Sequence, residues 1–174
     1  EPRLSVKDDQ IVWGRSPLRM DIGGGWSDTP PYCFINGGAV VNVAIEINGQ
    51  PPIQVFVKPC AEYKIVINSI DLGEKEVITS FDDLEGFHVV GSPFSIPKAA
   101  LCLIGLHNRF ALSSFGSLEA RLRNFGSGIE LSILSAVPKG SGLGTSSILA
   151  ATILGTLSEF CALEWDKIEI CNKT

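Results

Sequence analysis

The segment Pro138-Lys139-Gly140-Ser141-Gly142-Leu143-Gly144-Thr145-Ser146-Ser147 decides how the rest of the chain is read. Before it, from Ile129 to Val137, Ile129, Leu131 and Ile133 alternate with Glu130 and Ser132; after it, Ile148 to Phe160 is mostly apolar. Period-two alternation predicts a strand and the long apolar run a helix, so the glycines sit at a strand-to-helix junction. Backbone N–H groups and the positive end of a helix dipole converge at such a junction, and phosphate is the natural ligand. Gly140, Gly142 and Gly144 permit positive φ and close backbone approach, while Thr145, Ser146 and Ser147 add hydroxyls of the kind that ligate magnesium. Two common templates do not fit. GxxxxGK[ST] fails because no lysine follows a glycine here and Lys139 precedes the loop; GxGxxG fails because Thr145 holds the third glycine position and the helix leads to another helix. A serine-capped helix after a flexible turn is the alternative reading.

Upstream, Gln10 to Arg19 reads as a strand that runs into a dense turn cluster, Gly23-Gly24-Gly25-Trp26-Ser27-Asp28-Thr29-Pro30-Pro31. Asn36-Gly37-Gly38 is a further turn, and Ala39 to Ile47 is rich in Val and Ile. Asn48-Gly49 then predicts a hairpin turn into Ile53 to Val57. Lys64 to Ile70 and Glu76 to Phe81 supply two more short β runs. Pro97 suits the first turn of a helix over Lys98 to Leu106, and another helix starts near Ser117 or Leu118 and breaks at Phe125-Gly126. A last helix is expected over Trp165 to Lys173. Hairpins followed by helices give an α+β class, a mostly antiparallel sheet with packed helices, in a single domain over residues 1–174.

Composition narrows the function. Fourteen basic against 19 acidic residues give a net charge of −5, with no block of Lys or Arg, so nucleic acid and anionic membranes are not expected partners. The most apolar run, Ile148 to Leu157, is half the roughly 20 residues a spanning helix needs. Cys33, Cys60, Cys102, Cys161 and Cys171 are odd in number and form no CxxC pair, and they read as reduced thiols, mostly core-filling, in a cytoplasmic protein. His88 and His107 stand alone as surface or boundary residues, and Glu62 and Asp82-Asp83 read as solvated turns, which leaves a hydrolase triad without support. The chain opens on Glu1 and stops inside a predicted helix, so it is read as a piece of a longer protein.

At the 138–147 loop the sequence resembles the phosphate-binding motif of the galactokinase, homoserine kinase, mevalonate kinase and phosphomevalonate kinase (GHMP) superfamily. Arg19-Met20-Asp21-Ile22-Gly23-Gly24-Gly25-Trp26-Ser27-Asp28 is similar to that superfamily's N-terminal substrate motif. Within it the chain looks most like the fucokinases, through Gly24 to Pro31, Gly140 to Ala150 and Ser92-Pro93-Phe94-Ser95-Ile96-Pro97-Lys98-Ala99-Ala100-Leu101, the last shared with bacterial members that fuse L-fucokinase to a GDP-fucose pyrophosphorylase. The resemblance covers Asp9 to Thr174 and implies the N-terminal half of such a kinase, with a ribosomal protein S5 domain 2-like fold.

What the resemblance implies is specific. ATP with Mg²⁺ would lie on Lys139, Gly140, Ser141, Gly142, Leu143, Gly144, Thr145, Ser146 and Ser147, with the Ser146 hydroxyl on the metal or, in the plainer reading, capping the helix. The sugar would lie on Gly24, Gly25, Trp26 and Asp28, the carboxylate accepting hydrogen bonds from its hydroxyls; a turn cap before Pro30 is the alternative for Asp28. Arg19 would offset charge on the transferring phosphoryl group, or else sit in a surface ion pair, and Asp21, two residues on, shares its strand face and could be that partner or cap the turn. Gly25 stands where galactokinases carry a sugar-holding glutamate, which disfavours galactose. Trp26 replaces a histidine and either stacks on the apolar face of a deoxysugar or tucks into the core. The implied reaction is phosphorylation of L-fucose to fucose 1-phosphate, with a heptose kinase or a non-catalytic sugar- or nucleotide-binding module as alternatives. The superfamily's catalytic aspartate and third glycine motif match nothing up to Thr174, so this segment alone is expected to be inactive. The partners implied are the C-terminal half of the kinase and a fused nucleotidyltransferase domain.

Overall fold

The structure, a computed structural model, describes residues 1–89, 91–138 and 141–174. Its centre is a five-stranded sheet of β1 (Val12–Ser16), β4 (Ile53–Cys60), β7 (Gly128–Ser135), β5 (Ile65–Ser69) and β6 (Glu74–Ile78), in that spatial order. Every neighbouring pair is antiparallel except β5 and β7, which run parallel with Ile67 opposite Leu131. The mostly antiparallel sheet with helices packed on it is the architecture expected from sequence.

Alternation does the sorting. Ile53, Val55 and Val57 of β4, Ile65 and Ile67 of β5, and Ile129, Leu131 and Ile133 of β7 are all buried on one face, because side chains two apart share a face. That face is covered by α5 (Thr145–Phe160) and α3 (Ser95–Leu101), with α4 (Leu118–Phe125) closing one end. Ile153, Leu154, Leu157 and Phe160 carry α5 into the core, each side chain contributing roughly 1.5–3 kcal/mol by burial. α5 lies so close to β1 that a Cβ on Gly14 would collide with the Thr156 hydroxyl, and Thr152 Oγ1 lies 2.7 Å from Ser16 Oγ.

Several expectations are corrected. The run from Gln10 to Arg19 is two strands, since Pro17 breaks the ladder and sends β2 (Leu18–Gly23) into a separate hairpin with β3 (Val41–Ile45). Asn48-Gly49 closes only an isolated bridge between Ile47 and Gln50; β3 pairs with β2 rather than with β4. Phe81 opens a short helix, α2 (Phe81–Glu85), because Ser80 and Asp83 form a capping box. A helix that the sequence reading missed, α1 (Tyr32–Asn36), follows the Pro30-Pro31 pair and buries none of its residues. α3 begins earlier than expected, with Pro97 in its first turn, and passes through a π-type turn over Cys102–Leu106 that turns at Gly105 with φ 92°. The last helix, α6 (Lys167–Lys173), is shorter than predicted, since Glu164 takes φ 56° and Asp166 is the N-cap. Only Cys102 and Cys161 are buried; Cys33 and Cys60 are half-buried and Cys171 is exposed, so most of the thiols do not fill the core. His107 is buried against Phe81, with its Nε2 3.4 Å from Glu85, rather than lying at the surface.

Candidate functional site

β5 and β7 run parallel, so both deliver their C-terminal ends to the same edge of the sheet. β7 continues into the glycine loop and α5, and β5 continues into the turn at Asp71-Leu72-Gly73. The two ends are stitched together. The Ile70 N–H donates to the Ile133 carbonyl at 2.8 Å, and the Ser135 N–H and Ser69 hydroxyl both donate to Asp71 Oδ1, at 3.3 and 3.2 Å.

A cavity of about 860 Å³ opens at this edge. The glycine loop and first turn of α5 form one wall, through Ser141, Gly142, Gly144, Thr145, Ser146 and Ser147. Asp71, Leu72, Ser92, Phe94, Ser95 and Ile96 are among the residues of the other walls. Gly142 and Gly144 take φ of 75° and 65°, the left-handed region that glycine enters without a Cβ penalty. Gly144 is the N-cap of α5 and no side chain caps the helix, which starts at Thr145 rather than at Ile148. Ser146 is therefore not the cap: it lies in the first helical turn, exposed and on the cavity wall. No side chain caps the first-turn N–H groups, and groups of this kind are where helices bind anions. Lys139 and Gly140 lie outside the described residues.

The second glycine cluster is built on the β2–β3 hairpin. Gly24 takes φ 70° and its carbonyl receives the Ser27 N–H at 3.0 Å, forming a tight turn. Ser27 Oγ accepts from the Ala39 N–H at 3.1 Å and donates to the Ala39 carbonyl at 3.0 Å, which pins the turn to the start of the next strand. A Cβ on Gly24 or on Gly38 would run into backbone atoms of Ala39 or Ser27, so both positions need glycine for close approach. Gly25 packs over Asp21 and Asp28 is exposed. Trp26 is 83% exposed with φ 71°, which removes the core reading of its indole. Arg19 Nε lies 3.2 Å from Asp21 Oδ1, and a second contact joins Nη2 to Oδ2 at 3.3 Å, the strand-face ion pair anticipated as one alternative. Arg19, Gly24, Gly25, Trp26 and Asp28 thus gather on the hairpin, and none of them lines the 860 Å³ cavity.

Sequence reading missed the far cavity wall. Ser92–Ile96 drew notice only as a family likeness, and Asp71 drew none, because a polar residue before Leu72-Gly73 looks like any hairpin turn. The parallel pairing that sets it opposite the glycine loop joins residues more than sixty apart and leaves no local mark.

Solved structures share this architecture. The chain superposes with a TM-score of 0.61 on a D-glycero-D-manno-heptose 1-phosphate kinase from Bacteroides thetaiotaomicron, at 22% identity over 92% of this chain and 45% of that one. A galactokinase from Lactococcus lactis, solved with galactose, matches at TM-score 0.63 and 19% identity over 96% of this chain and 37% of that one. A family model described as "GHMP kinases N terminal domain" matches residues 110–173. In sequence it is 59% identical over 173 residues, 99% of this chain, to an L-fucokinase/L-fucose-1-P guanylyltransferase of Bacteroides fragilis. It is 34% identical over 138 residues, 79% of this chain, to a bifunctional fucokinase/GDP-fucose pyrophosphorylase of Arabidopsis thaliana. The chain spans 18% of the length of the first relative and 12% of the second.

Proposed function

We propose that residues 1–174 are the N-terminal, substrate- and ATP-binding part of a cytoplasmic sugar kinase that phosphorylates the anomeric hydroxyl of L-fucose, giving fucose 1-phosphate on the way to GDP-fucose. The observation that carries the kinase reading is the start of α5: a helix with a positive-φ glycine N-cap and no side-chain cap, opening into a cavity of nucleotide size. The choice of fucose rests on the 59% identity to the Bacteroides fragilis protein, and a fused nucleotidyltransferase as partner rests on the double names of both relatives. All five cysteines are free, and no described helix is long and apolar enough to cross a membrane.

The residues divide the work between the two loops. Gly142, Gly144 and the first-turn N–H groups of α5 hold the phosphates, with Lys139 and Gly140 completing the loop in sequence. The Ser146 hydroxyl fits magnesium as a single hard-oxygen ligand. Among the described residues no cluster of three or more acidic, His or Cys side chains could hold a metal alone, so phosphate and water oxygens would complete the sphere. Bound there, Mg²⁺ supplies charge neutralisation on the phosphates. Asp28 accepts hydrogen bonds from sugar hydroxyls and orients the acceptor, and Trp26 offers its exposed indole to an apolar sugar face. Arg19, held now by Asp21, supplies positive charge beside the reacting group. Positioning and charge stabilisation account for the chemistry assigned to this part of the protein.

The test is ADP release by the intact protein with ATP·Mg²⁺ and, in turn, L-fucose, galactose and a heptose. Release that depends on fucose and exceeds the others about tenfold or more is expected. Equal release with every sugar, or a preference for the heptose, would overturn the assignment.

A further inference from the structure

β5 and β7 part just before the glycine loop. Their parallel register sets Ser69 opposite Ile133, and one further step would set Asp71 opposite Ser135. The chain turns away there instead, through Asp71-Leu72-Gly73 with Gly73 at φ 66°, and β6 returns along β5. The ladder ends on the bond from the Ile70 N–H to the Ile133 carbonyl, so the Ser135 N–H loses the strand carbonyl that would have met it. Asp71 Oδ1 takes the place of that carbonyl, accepting the Ser135 N–H at 3.3 Å and the Ser69 hydroxyl at 3.2 Å. On the other side of β7 the Ala136 N–H donates to the Pro52 carbonyl at 2.9 Å. Ser135 Oγ then donates to the Val137 carbonyl at 3.2 Å, one residue short of Pro138, where the glycine loop opens.

We propose that Asp71 is a positioning residue for the phosphate loop: its carboxylate replaces the strand carbonyl that β5 no longer supplies, fixes the direction in which β7 enters the loop, and so sets the affinity for a triphosphate whatever base it carries. This rests on the kinase reading above. Two features of the site support it. An ionised acceptor bonds an N–H more strongly than a carbonyl does, which suits a strand end that has lost its neighbour. The same charge is unfavourable for direct contact with phosphate, because Asp71 is exposed on the wall of the cavity that the glycine loop also lines, where a negative group repels an anion. Asp71 therefore serves the loop through the strand and not by touching the phosphates. The route is short: carboxylate to the Ser135 N–H, Ser135 hydroxyl to the Val137 carbonyl, then Pro138 and the loop. A small swing of β7 at this point would displace Gly142, Gly144 and the start of α5 together, and misplaced donors bind a ligand less well.

The test is calorimetric titration of the intact protein with ATP and, separately, with inorganic tripolyphosphate, which has the phosphates and no base. Asp71→Ala is expected to weaken both by the same factor, about tenfold, as fits the loss of bonds to an ionised acceptor. Asp71→Asn keeps an oxygen for the same two donors and should restore both affinities to within about threefold. Equal loss in the two variants would assign the effect to charge and overturn the acceptor role. Weaker ATP binding with tripolyphosphate unchanged would mean that Asp71 touches the base, and would overturn the proposal as well. So would a lower melting temperature with both affinities intact, since Asp71 would then only hold a turn. Should Asp71→Ala fail to fold, Ser135→Ala cuts the link to Val137 alone. Weaker binding of both ligands by that variant supports the proposal, and unchanged binding opposes it. Failure of the unaltered protein to bind tripolyphosphate is a distinct result: it removes the phosphate site itself, and the proposal with it.

Discussion

At the scale of single residues, the roles proposed for two side chains are made testable by the neighbouring geometry. Ser146 stands in the first turn of α5 on the cavity wall, and the N-cap place is taken by Gly144, so removal of its hydroxyl should not unravel the helix start. Ser146→Ala in the intact protein is expected to lower turnover about tenfold or more and to raise the magnesium needed for half-maximal rate, with thermal stability unchanged. Unchanged magnesium dependence would remove the metal role. Asp28 follows a turn that Ser27 pins to Ala39, so its carboxylate is offered from a fixed backbone. Asp28→Asn keeps the shape and loses the charged acceptor. It should raise KM for fucose about tenfold, roughly 1.4 kcal/mol, and leave nucleotide affinity alone. Weaker ATP binding with normal fucose KM would place Asp28 in the wrong half of the site.

Among the elements, α2 shows how local chemistry overrides a β-like pattern. Ser80 Oγ accepts the Asp83 N–H at 3.1 Å, and Asp83 Oδ2 accepts the N–H groups of Thr79 and Ser80, both at 3.0 Å. The hydrogen bond from Thr79 is the largest influence holding the Asp83 carboxyl below its ordinary value, and the Ser80 bonds act in the same direction against the opposing effect of burial. A carboxyl whose folded pKa is lowered stabilises the fold when ionised. That contribution is complete above the unfolded value, near 4, and is lost as pH falls through the lowered folded value. Asp83→Asn should therefore cost about 1 kcal/mol at pH 7. The gap between the urea midpoints of the two proteins should narrow as pH falls below about 4. A gap independent of pH would mean that the charge of Asp83 contributes nothing.

On the scale of the whole molecule, the core and the hairpin differ in how they are held. Cys161 caps the C-terminus of α5 inside the core, and Cys102, at the end of α3, reaches the Leu84 carbonyl of α2; burial pushes the Cys102 thiol up to about 12 and raises Cys161 as well. Neither thiolate forms at neutral pH. Both should resist a maleimide at pH 7.5 until urea unfolds the sheet, and their labelling should then appear in a single transition. Labelling of Cys161 under native conditions, ahead of unfolding, would show that α5 opens by itself. The hairpin beyond Leu18 and α1 have no comparable interior, since every residue of α1 and of β3 is exposed or half-buried.

The sequence by itself determined the parts whose signal is local. Alternation from Ile129 to Ile133 made β7, glycines 142 and 144 made the loop, and the apolar run after it made α5, because each depends on residues a few positions apart. The α+β class followed from the order of those elements. Only the tertiary structure decided which strands pair. The sequence offered Asn48-Gly49 as a hairpin turn, but β3 joined β2 because Pro17 had already diverted the chain out of the main sheet, and β4 found β1 and β7 instead. The same holds for the site. Gly144 and Ser146 were legible as residue types at a junction, whereas Asp71 entered the cavity wall through the parallel pairing of β5 with β7. Nor could composition show that Trp26 stands clear of the core or that Met20 and Val43 lie uncovered. Burial depends on what packs from elsewhere in the chain, and a one-residue change of register exchanges the buried face for the exposed one.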